Sequence, residues 1–291
     1  GLQRQGHKIL LIRPEQKQGC SQFSPNKECL VLAQAIPRYP SLKFGWPQFL
    51  KVSGAIEDFE PDVVHIVTEG PLGLAALQAA GVRQGDSVGV LFDNRAEVLA
   101  WVLGTVKLGA IATLLNNQQR GEVLAHSLRL STPALVVVGE ACAEALHSLP
   151  PAERATLCER WWWEGETPPP DDLVWAQERL AVAPSHNPHE TATLRLHQPA
   201  FHIYTSGTTG LPKASVMSHY RWHRCMSGMG IMGLRLRPED VLYCPLPLYH
   251  NNALTVSWGA VVGAGASLVL VPKFSASRFW DDVRRYQATS F

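Results

Sequence analysis

The sequence has few of the features that mark secreted, metal-bound or membrane-spanning proteins. Its 291 residues contain six cysteines, and no two of them form a CxxC pair. A set this sparse favours free thiols in a reducing compartment over a disulfide framework or a zinc site. No run approaches the ~18 uninterrupted apolar residues of a membrane span, and no signal peptide is recognisable. We therefore predict a cytoplasmic protein without a transmembrane segment.

The sequence also lacks an excess of charge of one sign. The chain has 26 basic and 25 acidic residues, a formal net charge of +1, and no basic run. A near-neutral chain has no electrostatic footprint for nucleic acid, so we expect no nucleic-acid partner. The hydrophobic fraction of 46% is normal for a globular protein with a buried core, and the length suits one large or two ordinary domains.

Short apolar runs alternate with segments of helical spacing along most of the chain. The predicted strands are 8–12, 30–35, 62–67, 87–91, 110–115, 134–138, 193–196, 201–205, 214–217, 241–244 and 267–271. The predicted helices are 49–59, 72–80, 95–108, 121–130, 218–229, 254–263 and 275–286. This alternation predicts an α/β fold, with parallel or mixed sheets and flanking helices. Residues 148–190 predict an irregular surface connection, in which Trp161, Trp162 and Trp163 form a packed anchor.

The most informative segment is a loop that follows the apolar run 201–205. It consists of Thr205, Ser206, Gly207, Thr208, Thr209, Gly210, Leu211, Pro212 and Lys213. The glycines allow backbone N–H groups to approach a phosphate and to form a nest of donors. The hydroxyls can donate to phosphate oxygens, and Lys213 supplies a positive charge. The glycine spacing differs from that of the Walker loop. An ordinary Gly/Thr turn is the alternative, but this long polar series directly after a strand favours a phosphate site.

The segment IYTSGTTGLPKA resembles the phosphate loop of the adenylate-forming (AMP-binding) superfamily. Two further segments narrow the resemblance. PLPLYH, at 245–250, is similar to the aromatic/His segment that lies beside the acyl pocket in that superfamily. KFSASRFWDD, at 273–282, is similar to the branch of fatty acid transport proteins and very-long-chain acyl-CoA synthetases. The resemblance covers residues 79–291.

The resemblance implies a ligase that activates a fatty acid with ATP and Mg²⁺ and transfers it to CoA. Thr205 through Gly210, together with Lys213, would hold the β- and γ-phosphates. Tyr249 and His250 would border the acyl or CoA channel, with His250 as the catalytic candidate. For Tyr249 simple core packing stays open. The related branch handles lipids, so peripheral membrane contact is a further expectation.

The resemblance also has gaps. No segment matches the superfamily's adenine-binding segment, its acidic Mg²⁺-accepting residue, its ribose-binding Asp or its carboxyl-terminal domain. Asn251 and Asn252 stand where relatives commonly have small residues. We therefore expect an incomplete part of the N-terminal large domain of an adenylate-forming enzyme, and incomplete activity.

Residues 1–78 resemble a different family. PDVVHIVTEGPLG, at 61–73, is similar to the N-terminal domain of a mannosyltransferase-like GT-B glycosyltransferase. This resemblance implies a partial Rossmann-like GT-B segment at 1–78, followed by the partial AMP-binding domain at 79–291. His65 and Glu69 would then be remnants of an acceptor site, or would simply cap a strand.

Three functions follow in order of preference. The first is fatty acid–CoA ligation, with fatty acid, ATP and CoA as small-molecule substrates. The second is a vestigial fusion fragment that binds nucleotide weakly or not at all. The third is a glycosyltransferase fragment, which a comparison of nucleotide-sugar with ATP as ligand would distinguish from the first.

Overall fold

The computed structural model describes residues 10–14, 27–31, 33–36, 39–45, 77, 80–181, 189–205 and 210–291. Two compact units divide the chain. The first comprises residues 1–72 with 184–186, and the second comprises 73–183 with 187–291. The predicted domain boundary at 78/79 stays a prediction.

The described part of the first unit consists of two strand pairs. Strand β1 (Leu10–Pro14) runs parallel to β2 (Lys27–Val31), and β3 (Ala33–Ile36) pairs antiparallel with β4 (Tyr39–Gly45). Pro40 is the second residue of β4. A proline can occupy a strand end or irregularity, where the ladder does not need its N–H. The predicted helix 49–59 and strand 62–67 lie outside the described residues.

The second unit is built on a seven-stranded sheet with the order β11-β10-β6-β5-β7-β8-β9. Its strands are β5 (Ser87–Leu91), β6 (Ile111–Leu114), β7 (Leu135–Gly139), β8 (Trp161–Glu164), β9 (Val174–Trp175), β10 (Pro199–Thr205) and β11 (Lys213–Ser218). Strands β5 to β10 are parallel, and β11 returns antiparallel to β10. The sheet is therefore mixed, in agreement with the predicted fold class.

Helices cover both faces of this sheet. They are α1 (Ala96–Lys107), α2 (Gly121–Ser131), α3 (Ala143–His147), α4 (Pro151–Leu157) and α5 (Ala176–Ala181). The chain steps from β5 to β6 in one direction and from β6 to β7 in the other. Because such crossovers are right-handed, α1 and α2 must lie on opposite faces. Accordingly, α1 packs into one hydrophobic cluster with Val90 and Phe201, and α2 packs into another with Val136 and Val138.

The tryptophan run belongs to the sheet and not to a surface connection, so that part of the prediction for 148–190 was wrong. Trp161 and Trp163 face the α2 side, and Trp162 faces the α1 side, where it meets Trp101 edge-to-face at 6.0 Å. All three indoles are buried, which confirms the packing role. A strand covered on both faces is apolar without alternation, and this explains why the pattern does not resemble a half-exposed strand.

The remaining elements form a helical group and a small parallel sheet. Helix α6 (His219–Cys225) continues as a π-helix (Met226–Gly233), and a second π-helix (Asn252–Trp258) continues as α7 (Gly259–Ala264). Strand β12 (Val241–Cys244) pairs with β13 (Ser267–Leu270), and α8 (Phe279–Arg285) follows. Ser218 caps α6, since its side chain accepts from the Arg221 N–H. The predicted strand at 193–196 was wrong, because residue 193 ends a 3₁₀ helix (His189–Thr193) and residues 194–196 belong to no strand.

Among the described residues, no helix combines the length and the apolar character that a membrane crossing requires.

Candidate functional site

The candidate phosphate loop closes the hairpin between β10 and β11. Thr205 ends β10, Lys213 begins β11, and these two residues pair directly across the hairpin. Both are exposed, while Pro212 beside Lys213 is buried. Gly210 has φ +85, a conformation that L side chains rarely adopt. Ser206, Gly207, Thr208 and Thr209 lie outside the described residues. The described ends of the loop therefore present an ammonium group and a threonine side by side at the mouth of the hairpin.

The sheet places this loop at the edge where ligands bind in comparable folds. Strands β5, β6 and β10 are parallel neighbours, so their carboxyl ends share one edge. In open α/β sheets, ligands bind outside the carboxyl ends of the strands, where the strand order reverses direction. Here the direction reverses at β5 and β6, whose carboxyl ends are followed by Asn94 and Asn117. The loop after β10 therefore borders the crevice that this fold class uses.

A buried asparagine connects the aromatic/His segment to the same edge. The Asn94 side-chain amide donates to the carbonyl oxygens of Leu246 (2.8 Å) and Val271 (3.1 Å), and its oxygen accepts from the Leu248 N–H (2.8 Å). With 7% exposure, the side chain has little access to water, so these bonds decide its orientation. The segment 245–250 is thus fixed to the end of β5. Strand β5 lies two strand spacings, about 10 Å, from β10.

Asn94 is a residue whose role the sequence alone could not show. Its hydrogen-bond partners are more than 150 positions further along the chain. A local signal existed, since a polar residue shortly after a buried strand is a common position for functional side chains. Its structural role emerges only from the tertiary contacts.

Tyr249 and His250 lie next to each other at the end of this segment. Their ring centroids are 4.5 Å apart. Tyr249 is half-buried and packs against the main hydrophobic cluster, as the packing alternative expected. His250 lies at the surface, and partial desolvation lowers its pKa, whereas burial raises the pKa of Tyr249. Near neutral pH the imidazole is therefore mainly uncharged, a state in which it can accept a proton.

A second titratable group at the carboxyl edge, Glu164, was not predicted from the sequence. Glu164 ends β8, and its carboxylate accepts a hydrogen bond from the indole N–H of Trp101. Burial raises the pKa of Glu164 to about 7, and the nearby charge of Glu97 adds to that shift. The Trp101 bond and Arg95 oppose the shift only in part. No spacing pattern marks this carboxyl, because β8 itself was not predicted.

We expect Glu164→Gln to stabilise the protein in alkaline solution. The folded pKa of about 7 exceeds the usual value of 4.5, so the folded state holds this proton more tightly than the unfolded state. The resulting stability is full below the unfolded pKa and is lost as pH rises through 7. At about pH 8.5, glutamine should raise the free energy of unfolding by up to about 3 kcal/mol, with little change at about pH 4. Urea denaturation at both pH values measures this.

Glu178→Gln serves as the control for that experiment, because Glu178 lies on α5 and its carboxyl is exposed to solvent. An equal gain from Glu164→Gln at both pH values would contradict the argument, since it would show a packing effect and not the removal of a buried charge.

Among the described residues, no group of three or more His, Cys, Asp or Glu side chains could hold a metal ion.

The comparisons with known proteins agree with this arrangement. Residues 75–291 match the family described as AMP-binding enzyme, so the chain belongs to that family. It is 46% identical over 218 residues to the medium/long-chain-fatty-acid–CoA ligase FadD6 of Mycobacterium tuberculosis, and 34% identical over 227 residues to long-chain fatty acid transport protein 6 of Mus musculus. Each match covers 75% of this chain and 35% of the relative. The chain thus spans about a third of the length of these relatives.

Solved structures show the same fold for this part of the chain. The N-terminal domain of FACL13 from Mycobacterium tuberculosis, with a bound inhibitor, matches with a TM-score of 0.65 and 27% identity, over 75% of this chain and 52% of that chain. The anthranilate CoA ligase AuaEII in complex with anthranoyl-AMP matches with a TM-score of 0.67 and 26% identity, over 75% and 42%. These findings support the AMP-binding prediction for the larger part of the chain. They do not support the GT-B segment that the sequence suggested before it.

Proposed function

We propose that this chain forms the phosphate-binding part of the active site of a fatty acid–CoA ligase. The observation that carries the proposal is the hairpin at the carboxyl edge, with Thr205 and Lys213 paired at its mouth. The similarity to a medium/long-chain-fatty-acid–CoA ligase supports a fatty acid as the substrate. A solved relative with bound ATP, MatB from Rhodopseudomonas palustris, supports ATP as the nucleotide at 25% identity and a TM-score of 0.59.

The proposed reaction has two steps. A fatty acid carboxylate oxygen attacks the α-phosphorus of ATP, and pyrophosphate leaves, which gives an acyl-adenylate. The thiolate of CoA then attacks the acyl carbonyl carbon, and AMP leaves as the thioester forms. In the first step Lys213 and the loop N–H groups would stabilise the charge that develops on the leaving pyrophosphate. Bound Mg²⁺ would supply further neutralisation of phosphate charge.

The described residues fit a polyphosphate at this place. Lys213 is exposed and is therefore free to meet a ligand. An added Cβ at Gly210 would meet no heavy atom of the described residues within 4 Å, so these residues leave the backbone open on that side. In the proposal, Thr205 through Gly210 contact the β- and γ-phosphates, and Tyr249 and His250 border the acyl or CoA channel, with His250 as a proton acceptor.

The test is ATP–pyrophosphate exchange with Mg²⁺ and medium- and long-chain fatty acids, together with calorimetric measurement of ATP binding. Lys213→Ala should weaken ATP binding by about 10- to 100-fold, because a charge-assisted hydrogen bond contributes ~1.5–3 kcal/mol. Lys107→Ala is the matched control. Lys107 ends α1 at the opposite edge of the sheet, and its loss should leave binding unchanged.

Three outcomes separate the candidate functions. Fatty-acid-dependent exchange that Lys213→Ala reduces would support complete adenylation by this chain. ATP binding that depends on Lys213 without exchange would limit the proposal to a half-site. A folded protein that binds no ATP would refute the phosphate site and favour the vestigial fusion fragment.

Sugar transfer by residues 1–78 rests on the sequence resemblance alone. Its central motif at 61–73, including His65 and Glu69, lies outside the described residues. Binding of a nucleotide-sugar by the same calorimetric measurement would favour it. The cytoplasmic location and peripheral membrane contact likewise stay predictions.

A further inference from the structure

Both stems of the phosphate loop are tied to one turn of helix α2. On the incoming side, the Tyr204 hydroxyl donates to the Ser127 carbonyl oxygen at 2.5 Å. On the outgoing side, His126 Nε2 lies 3.1 Å from the Pro212 carbonyl oxygen. Tyr204 directly precedes Thr205, and Pro212 directly precedes Lys213. Two consecutive helix residues, His126 and Ser127, therefore contact the residues that flank the two ends of the site.

The direction of the His126 bond follows from its partner. A carbonyl oxygen only accepts, so Nε2 must carry the proton and donate it. The bond therefore runs from the His126 ring to the backbone of the hairpin. It requires an N–H at the Nε2 position, which a glutamine side chain can supply and a phenylalanine cannot.

The other contact is held firmly from the helix side. Tyr204 is 7% exposed, and burial raises the pKa of its hydroxyl to about 12, so it remains a donor in the physiological range. Ser127 is fully buried, and its hydroxyl donates to Gln119 Oε1 at 2.8 Å. The helix turn is therefore a fixed support, against which the hairpin mouth is held.

We propose that His126 is a positioning residue of the phosphate site, which holds the outgoing stem so that Lys213 meets the polyphosphate without rearrangement. This inference rests on the function proposed above. A site that is ordered before binding loses less conformational entropy when the ligand arrives. Loss of the His126 bond should therefore weaken nucleotide binding although His126 does not touch the nucleotide.

The alternative is that the imidazole only fills space between α2 and the hairpin. A comparison of His126→Phe with His126→Gln separates the two roles. Phenylalanine keeps a ring of similar size and removes the donor, whereas glutamine removes the ring and keeps a donor at nearly the same reach. If His126 positions the loop stem, His126→Gln should keep the ATP affinity of the wild type. If the imidazole only fills space, His126→Phe should keep that affinity instead.

The experiment uses the whole chain and two measurements. Amide hydrogen exchange of the peptide that spans 205–213 is recorded without nucleotide, and Mg²⁺–ATP affinity is measured by calorimetry. For His126→Phe we expect exchange in this peptide to accelerate several-fold and the ATP Kd to rise by about 3- to 10-fold, the effect of one lost hydrogen bond. His126→Gln should stay close to wild type in both. Tyr204→Phe, which removes the hydroxyl on the other stem, should resemble His126→Phe.

His147→Phe is the matched control, since His147 is an exposed histidine at the end of α3. Unchanged exchange and affinity in His126→Phe would overturn the proposal, and so would equal defects in His126→Phe and His126→Gln. If the wild-type chain binds no ATP, the proposed function fails, but the exchange measurement still decides whether His126 orders the loop. If His126→Phe does not fold, His126→Gln and Tyr204→Phe decide by the same two measurements.

Discussion

Asp172→Ala is expected to lower the free energy of unfolding by about 3 kcal/mol, because it leaves a buried guanidinium without its counter-ion. Arg154 lies on α4 with 3% exposure, and its guanidinium binds both carboxylate oxygens of Asp172 at 2.6–2.9 Å. The same guanidinium donates to the carbonyl oxygens of Leu149 (2.7 Å) and Leu146 (3.3 Å). It therefore fixes the segment before β9 onto two helices of the same face.

Arg154→Met should lower the free energy of unfolding by less than Asp172→Ala does. Arg154→Met replaces the charge with an apolar chain, and Asp172, whose side chain is 36% exposed, can regain water. The remaining cost, about 1–2 kcal/mol, comes mainly from the Leu149 carbonyl oxygen, which loses the Arg154 donor, because the Leu146 carbonyl oxygen keeps the Leu149 N–H at 3.0 Å. In the Arg154→Met background, Asp172→Ala should then have little further effect. Urea denaturation of the four proteins of this double-mutant cycle measures the coupling.

The surface pair formed by Arg129 and Glu122 is the matched control. These side chains are 49% and 68% exposed, so Glu122→Ala should leave the unfolding midpoint near that of the wild type. A larger loss from Arg154→Met than from Asp172→Ala would contradict the account, because the carbonyl contacts and not the ion pair would then dominate.

Gly230→Ala is expected to destabilise the protein by about 1–3 kcal/mol, as overpacking of a filled interior does. Gly230 is buried in the first π-helix, and an added Cβ would stand 2.6 Å from the Ala260 carbonyl oxygen and 2.8 Å from its Cα. The obstacle is backbone of α7, so no side-chain rotation can relieve the clash. The two helices would have to move apart. Thermal and urea unfolding report the loss.

Gly228 provides the control within the same π-helix. An added Cβ there would meet no heavy atom within 4 Å in the part of the chain that the structure describes, and neither glycine has a positive φ. Gly228→Ala should therefore be neutral or stabilise by up to about 1 kcal/mol, since alanine loses less backbone entropy on folding than glycine. Equal effects of the two substitutions would show that the contact between Gly230 and Ala260 does not limit the packing of these helices.

The local sequence pattern was sufficient to predict most strands and helices of the second unit. The apolar run at 87–91 became β5 with the same bounds, and the run at 241–244 became β12 likewise. Strands at the centre of a parallel sheet are apolar throughout, and glycines such as Gly109 (φ +75) end the intervening helices. The predicted strands 201–205 and 214–217, on either side of the loop, were confirmed by β10 and β11 for the same reason: each strand has its own local signal.

Local pattern failed where long-range packing overrides local preference. Three adjacent tryptophans followed by prolines have no strand periodicity, yet β7 on one side and β9 on the other place them in the sheet. The predicted strand at 193–196 is the reverse case, because no neighbouring strand pairs with it in the part of the chain that the structure describes. A strand exists only when a partner satisfies its backbone groups, and a short sequence window does not contain that partner.

The sequence by itself determined the chemical character of the site, because the donors and the charge of the phosphate loop lie within nine consecutive residues. Only the tertiary structure decided how that site is supported. Asn94 reaches the segment before Tyr249, His126 reaches Pro212, and Trp101 reaches Glu164, each across 60 or more positions. A contact of this kind depends on the order of the strands and the face that each helix covers. Those features follow from the packing of the whole unit and leave no mark at fixed spacing along the chain.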